Sequence, residues 1–361
     1  MLVEAYTNKH ILCEKLKSQL PPDSVRRALR DAHASRRLLP CGLTIHPGTG
    51  CEWNCVYCYL HTMDFPAKAE PYRLTGEEIL LSVVSNPYVA PGYTPLAFGS
   101  VTEPFLSQIR NKTLEYLSHL SRTGCPMQFS TKQEIDDDTA DAIAEAGNSV
   151  NALISVTCTT SYERFEPHAP PPEKRLHGLA RLKARGVPSF VFVRPVLPSV
   201  TVKDATEILE LAESYGADGV VLGSLRATED TVRALSALGV RIGIDIKGKR
   251  PTYVPCHDEM EQFRSLAERK GVLVLPSACS ATMFASGRAC YACSRGPCGD
   301  VNRLPEVDHE DVSALASALG ERVDVVAHTD SDVVVRCPRV PQVLRAWVKF
   351  VLGRSTVVSR P

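Results

Sequence analysis

What most constrains this chain is a repeated alternation of short apolar runs and amphipathic segments. Apolar, β-branched runs at residues 42–46, 94–98, 126–130, 151–157, 189–193, 219–223 and 241–245 predict strands. Helical periodicity predicts helices over 75–84, 112–123, 136–146, 172–185, 202–215 and 228–238. Gly124, Gly147, Gly186, Gly216 and Gly239 follow these segments, where a helix stop favours glycine. A strand joined to the next through a helix enters the sheet parallel to it. Six or seven such units in about 200 residues predict an α/β fold built as a partial or complete β/α barrel, in preference to a doubly wound sheet. Functional side chains of such a barrel collect at the C-terminal ends of its strands.

Around this core the chain divides into four stretches. Residues 1–40 read as an N-terminal helical extension, 41–276 as the barrel, 277–304 as a cysteine-rich segment, and 305–361 as a small α+β appendage. The appendage reads as helix, two strands, helix, strand, with no aromatic pair on its strands for stacking bases. The basic run within Asp23–Leu39 reads as a solvated helix face. With 41 basic against 41 acidic residues the chain is no obvious electrostatic nucleic-acid binder, although a local basic patch is compatible with that balance. Charges recur every few residues at the N-terminus, unlike a signal peptide, and no apolar run approaches the ~20 residues of a membrane span. The expectation is a cytoplasmic protein without a membrane partner.

Thirteen cysteines in 361 residues are too many for chance burial and odd in number, in a chain long for a disulfide scaffold. They point to thiolate ligation in a reducing compartment. Cys51, Cys55 and Cys58 are spaced three residues, then two, directly after the first predicted strand. Such thiolates suit an iron–sulfur cluster or zinc, and three ligands leave a coordination position open. Cys279, Cys290, Cys293 and Cys298 lie within twenty residues of glycine- and serine-rich sequence. Four thiolates there fit a closed zinc site or a second, fully ligated 4Fe–4S cluster. Cys13, Cys41, Cys125, Cys158, Cys256 and Cys337 are scattered and read mostly as buried small hydrophobes, Cys256 being placed to face the barrel mouth.

The run Cys51-x3-Cys55-x-Tyr57-Cys58 resembles the signature of the radical S-adenosylmethionine (radical SAM) superfamily. Further stretches are similar to its DNA repair photolyase-like branch, which includes spore photoproduct lyase: Phe98–Phe105, Ser130–Lys132, Ile154–Thr157, Arg164–Pro171 with Lys174–Leu176, and Arg194–Pro198. The resemblance spans roughly residues 40–226. It implies a 4Fe–4S cluster on Cys51, Cys55 and Cys58, whose open iron binds SAM. Tyr57 matches the aromatic position near the adenine. Gly99, Ser100, Thr102 and Glu103 occupy the place of the methionine-binding segment, without the family's two glycines. Ser155 and Arg194 match SAM-contacting positions at strand ends, and Glu166 and Arg175 match positions at the barrel mouth where a structural ion pair is an equal reading. The adenine is expected against Val221–Ser224. The resemblance implies reductive SAM cleavage to a 5′-deoxyadenosyl radical, a ferredoxin or flavodoxin reductant, and a macromolecular substrate, nucleic acid before peptide. Spore photoproduct lyase uses a hydrogen-donating cysteine after its second strand; here that place falls near Ser100, so that particular reaction is not implied. A peptide-modifying enzyme with an auxiliary cluster, and a non-catalytic iron–sulfur or zinc redox sensor, are the alternatives.

Overall fold

The computed structural model describes residues 1–147 and 149–359, so the last two residues of the predicted appendage lie outside the described residues. Seven strands form one sheet: β1 (Leu43–Ile45), β2 (Leu96–Phe98), β3 (Met127–Thr131), β4 (Val150–Ser155), β5 (Ser189–Val196), β6 (Val220–Ser224) and β7 (Val274–Leu275). Spatial order follows chain order, and every neighbouring pair is parallel. β1 and β7 are the two edges. The fold is therefore a partial barrel.

The crossovers carry the predicted helices: α3 (Gly76–Ser85), α4 (Arg110–Ser121), α5 (Asp137–Glu145), α6 (Pro172–Ala184), α7 (Ala205–Ser214) and α8 (Glu229–Ala237), after α1 (Leu2–Gln19) and α2 (Pro22–Arg30) at the N-terminus. Their starts are written in the sequence. Thr75 and Glu78 close a capping box on α3, the Asp136 carboxylate accepts from the Thr139 N–H on α5, and Pro172 opens α6. Alternation along β5 separates two layers. Val191 and Val193 join the helix-packed core, whereas Phe190 and Phe192 pack with Leu153, Val221, Leu275 and Ala281 on the inner face. That inner face is covered by α10 (Ala278–Ala285), to whose Ala278 carbonyl the Gln128 amide donates at 2.9 Å.

The strand expected at 241–245 is a loop instead. Ile242 and Ile244 still pack on the main core, so their apolar alternation is satisfied by side chains without a ladder, and Gly243 between them weakens a strand. The place beside β6 goes to β7, reached through α9 (His257–Arg269), and Asp245 and Lys247 form an exposed ion pair at 3.4 Å.

After α10 come α11 (His309–Ala318), β8 (Asp324–His328), β9 (Asp332–Arg336), α12 (Gln342–Leu352) and β10 (Ser355–Val358). β9 pairs antiparallel with β8 and parallel with β10. Val312, Leu315, Val333, Val335, Leu344 and Trp347 form their core, and Leu2 of α1 belongs to it. The Asp311 carboxylate accepts the Leu2 and Val3 N–H groups at 2.6 and 3.1 Å, satisfying donors that a helix start leaves free. The two ends of the chain thus share one core. Part of the basic N-terminal run is used in docking, since Arg27 pairs with the buried Glu78 of α3. Among the described residues no helix is long and apolar enough to cross a membrane.

Candidate active site

The loop leaving the C-terminal end of β1 carries Cys51, Cys55 and Cys58. It begins at Gly50, whose φ is +84° and where a Cβ would stand 2.3 Å from the Pro66 carbonyl oxygen, so only glycine fits. Asn54 takes the left-handed conformation, the Cys58 N–H donates to the Cys55 carbonyl at 2.9 Å, and the Val56 N–H donates to the Phe165 carbonyl at 2.8 Å. Cys55 is buried, and Cys51 and Cys58 are half-buried. Burial pushes the Cys51 thiol up to about 11 and the Cys55 thiol up to about 12. Among the described residues no three His, Cys, Asp or Glu side chains already close around one point as a metal cage. The three thiols are neighbours within one loop.

Behind this loop lies a buried polar network. The Tyr57 hydroxyl donates to Glu166 and lies 3.3 Å from the Thr157 hydroxyl. Glu166 forms an ion pair with Arg175 at 2.6 Å, both side chains being fully buried. Arg175 also donates to the carbonyls of Pro170 at 2.6 Å and Ser155 at 2.9 Å. The Lys132 ammonium stands 3.9 Å from Glu166 and 5.5 Å from the Tyr57 ring centroid. Glu103 accepts from the Thr131 hydroxyl and, at 2.9 Å, from the Lys132 N–H. Burial alone lowers the pKa of Lys132, but the groups facing it, Cys55 and Glu166 first, outweigh that, and the net direction is upward. Burial raises Glu166 too, and Arg175 and Lys132 reverse the direction. Glu103 stays raised, because its burial outweighs its hydrogen bonds.

The other sequence-predicted residues sit at strand ends. Gly99 directly follows β2 with φ +93°, and a Cβ there would meet the Ser130 carbonyl oxygen at 2.5 Å. Ser100 is exposed, and Thr102 is buried with a hydroxyl that finds no partner among the described residues. Ser155 ends β4, with a buried side chain. Arg194 near the end of β5 has a different neighbourhood: its guanidinium lies 5.8 Å from the Phe192 ring centroid, and its stem crosses Gly223 of β6, where a Cβ would stand 2.6 Å from it. Cys256 is buried, its thiol donating to the Val196 carbonyl at 3.5 Å. Spacing alone does not mark Lys132, Thr131 or Thr157 as site residues. The signal that reaches Lys132 is a cation placed directly after a strand that ends in two hydroxyl residues.

The second cysteine group lies elsewhere. Cys290 and Cys298 face each other across two backbone hydrogen bonds of 2.9 and 2.8 Å. Cys279 is in the first turn of α10, its sulfur 3.2 Å from the Ser277 hydroxyl. Burial pushes the Cys298 thiol up to about 12, and Cys279, Cys290 and Cys293 add to the shift.

A sequence model of the radical SAM superfamily matches residues 45–212. Those residues form a radical SAM domain. An uncharacterized protein of Mycobacterium tuberculosis is 24% identical over 208 residues, 54% of this chain and 61% of the relative, so the match spans less than two thirds of that protein. An uncharacterized protein of Acidianus two-tailed virus is 24% identical over 193 residues, 49% of this chain and 64% of the relative. Among solved structures, a spore photoproduct lyase variant with bound AdoMet and dinucleoside spore photoproduct shares the fold with a TM-score of 0.52 at 18% identity, over 63% of this chain and 73% of that one.

A radical SAM domain implies a 4Fe–4S cluster and SAM. The residues present fit them. Three thiols share one loop at a strand's C-terminal end, a half-buried cation stands behind them, and the Thr102 hydroxyl beside them is a buried polar atom that finds no partner among the described residues.

Proposed function

We propose that the protein is a radical SAM enzyme acting on a macromolecular substrate, nucleic acid before peptide, with a ferredoxin or flavodoxin as reductant. The observation that carries this reading is the three-thiol loop at the C-terminal end of β1, backed by the Lys132–Glu166–Arg175 network inside the matched domain. Cys51, Cys55 and Cys58 would hold three irons. When bound, the cluster and SAM supply an electron and a sulfonium whose reductive cleavage gives methionine and a 5′-deoxyadenosyl radical. Tyr57 is fixed through Glu166, so its ring forms a rigid wall for the adenine. Gly99 lets the chain after β2 approach β3 closely, which brings Ser100, Thr102 and Glu103 to the same end of the sheet. Glu103 holds the Lys132 backbone and keeps lone pairs for one further donor. Ser155 and Arg194 stand at the ends of β4 and β5 as polar contacts for SAM. The apolar inner sheet face is closed by α10 nearer the N-terminal ends of the strands.

The nucleic-acid preference is supported by the fold likeness to spore photoproduct lyase, and the balanced charge of 41 against 41 weighs on the other side. The peptide reading draws on the second cysteine group, which we propose to be a second metal site, 4Fe–4S before zinc. Anaerobic reconstitution with metal analysis, followed by dithionite and SAM, tests the whole reading. The expected result is 5′-deoxyadenosine, lost in Cys55→Ala, with two 4Fe–4S clusters per chain; iron for one cluster plus one zinc selects zinc at the second site. Intact SAM with the wild-type protein overturns the enzyme reading in favour of a redox sensor. Nucleic-acid binding that weakens steeply with salt supports that substrate class, and a flat response moves it to peptide.

A further inference from the structure

The basic run within Asp23–Leu39 reads in sequence as a solvated face, yet it contains two buried polar residues, Asp31 and His33. After α2 the chain makes a single turn of 3-10 helix, Ala32–Ala34, capped by Asp31. The His33 Nδ1 lies 2.6 Å from the Asp31 carboxylate, and both side chains are fully buried. The other ring nitrogen, Nε2, accepts the His46 backbone N–H at 3.2 Å. A nitrogen that accepts carries no proton, so the proton of the neutral ring sits on Nδ1 and is donated to Asp31. His46 directly follows β1 and stands five residues before Cys51.

The same pair reaches the loop by a second route. Asp31 accepts the Tyr72 hydroxyl at 2.8 Å, and the Tyr72 backbone N–H donates to the Pro47 carbonyl at 2.8 Å. Gly48 and Thr49 then pair antiparallel with Pro71 and Glu70, and the Gly50 N–H donates to the Val101 carbonyl at 3.1 Å. A Cβ on Gly48 would stand 2.7 Å from the Glu70 carbonyl oxygen, so this close approach needs glycine. The His33 ring meets the His46 and Tyr72 rings edge-on, at centroid distances of 5.2 and 5.4 Å. Arg36 donates to the Thr44 hydroxyl at 2.8 Å and lies 2.9 Å from the His46 Nε2. Burial lowers the pKa of both histidines, His46 to about 3, in agreement with neutral rings. The Asn86 amide donates to the His33 and Arg36 carbonyls at 2.7 and 2.9 Å, tying this segment to the end of α3. Residues 46–50 are thus each held by another segment, and the ties at His46 and Pro47 lead back to Asp31.

We infer that His33, oriented by Asp31, is a positioning residue for the first cysteine loop, fixing where the end of β1 delivers Cys51. This rests on Cys51, Cys55 and Cys58 holding the SAM-binding cluster. A carboxylate behind a histidine sets the tautomer and the direction of the ring, and here the oriented nitrogen holds a backbone N–H rather than a metal. A core without such a task is filled at lower cost by apolar side chains, because every buried polar group must find a partner.

Asparagine and glutamine at position 33 separate the two hydrogen bonds. Asparagine places its amide near the position of Nδ1 and keeps the bond to Asp31, but leaves the His46 N–H without an acceptor. Glutamine reaches as far as Nε2 and restores the acceptor. The test uses the full-length protein, reconstituted anaerobically. The EPR signal of the dithionite-reduced cluster is recorded with and without SAM, and its loss is timed in the presence of an iron chelator. Only a cluster with an open iron responds to SAM, so the readout belongs to the first site. His33→Asn is expected to change the SAM-responsive spectrum and to lose it at least about tenfold faster than the wild type, the scale on which removal of a group behind a metal's ligands registers. His33→Gln should restore both. Leu344→Ala, a truncation in the core of the appendage, should lower the thermal midpoint and leave both readouts at wild type. An unchanged spectrum and rate in His33→Asn overturn the inference, as does an equal change in His33→Gln or in Leu344→Ala. If His33→Asn does not fold, Tyr72→Phe takes its place. Losing only the hydroxyl that reaches Asp31 should then speed the loss of signal, and an unchanged rate overturns the inference. A wild type with no SAM-responsive signal overturns the cluster assignment and the inference together.

Discussion

The two cysteine groups are built on different physics. The first is a short loop over an ionic network, in which the buried Glu166 pairs with Arg175 and stands 3.9 Å from Lys132, and Glu103 accepts from the Lys132 backbone N–H. The second is held by backbone pairing between Cys290 and Cys298 and by packing against α12 and α10. Burying several charges costs far more than burying thiols, and a fold retains such a network where it positions groups for chemistry. A site that only ties chain segments together has no need of it. On our proposal the first group carries the chemistry and the second holds chain segments together.

The largest expected effect breaks that contrast most directly. Cys55→Ser should lower 5′-deoxyadenosine formation by at least about a thousandfold, the scale on which losing an essential catalytic group is read. Cys290→Ser should leave it within about threefold while lowering the thermal midpoint. Equal losses in both variants mean that the second group takes part in SAM cleavage. Next comes the ionic network. Glu166→Ala strands the buried Arg175 without its partner and should cost about 3–5 kcal/mol in chemical denaturation, because an uncompensated buried charge is left behind. A loss below about 1 kcal/mol would show that water reaches the pair. A smaller effect is expected at Gly99. Alanine there meets both a positive φ and the Ser130 carbonyl oxygen, which should cost about 2 kcal/mol and weaken SAM binding.

These sites differ in how far the sequence shows them. The parallel order of β1 to β6 follows from strand–helix alternation, because a crossover through a helix leaves few other topologies. The first cysteine loop is legible because its ligands are local. Its supporting network is not: Tyr57, Lys132, Glu166 and Arg175 come from four separate segments and meet only in the fold. Glu166 and Arg175 look like two separate mouth residues until burial shows them to be each other's partner. The strand expected at 241–245 fails for the opposite reason. A local apolar alternation carries no information about which segment wins the edge of β6.

The smallest effect contrasts two lysines, Lys132 and Lys9. The Lys132 ammonium has the Glu166 carboxylate 3.9 Å away, and the groups facing it, Cys55 and Glu166 first, raise its pKa against the effect of burial. Lys9 is buried, and among the described residues its ammonium donates to the carbonyls of Asn86 and, at 2.8 Å, Val89, with the Trp347 ring at 5.5 Å. Burial depresses its pKa to about 7 from 10.5. A neutral amine has two hydrogens, and the two carbonyls accept both. Below about 7 the group is charged in native and unfolded chains alike, and the native state bears the cost of burying it. Above that pH the native chain releases the proton, whereas the unfolded chain keeps it until about 10.5. The unfolded state then binds more protons, so stability rises with pH through this window by at most about 1.4 kcal/mol per pH unit. Lys9→Met should flatten that rise between pH 7 and 8 in urea denaturation. An unchanged slope would place the titration elsewhere and leave Lys9 charged across this window.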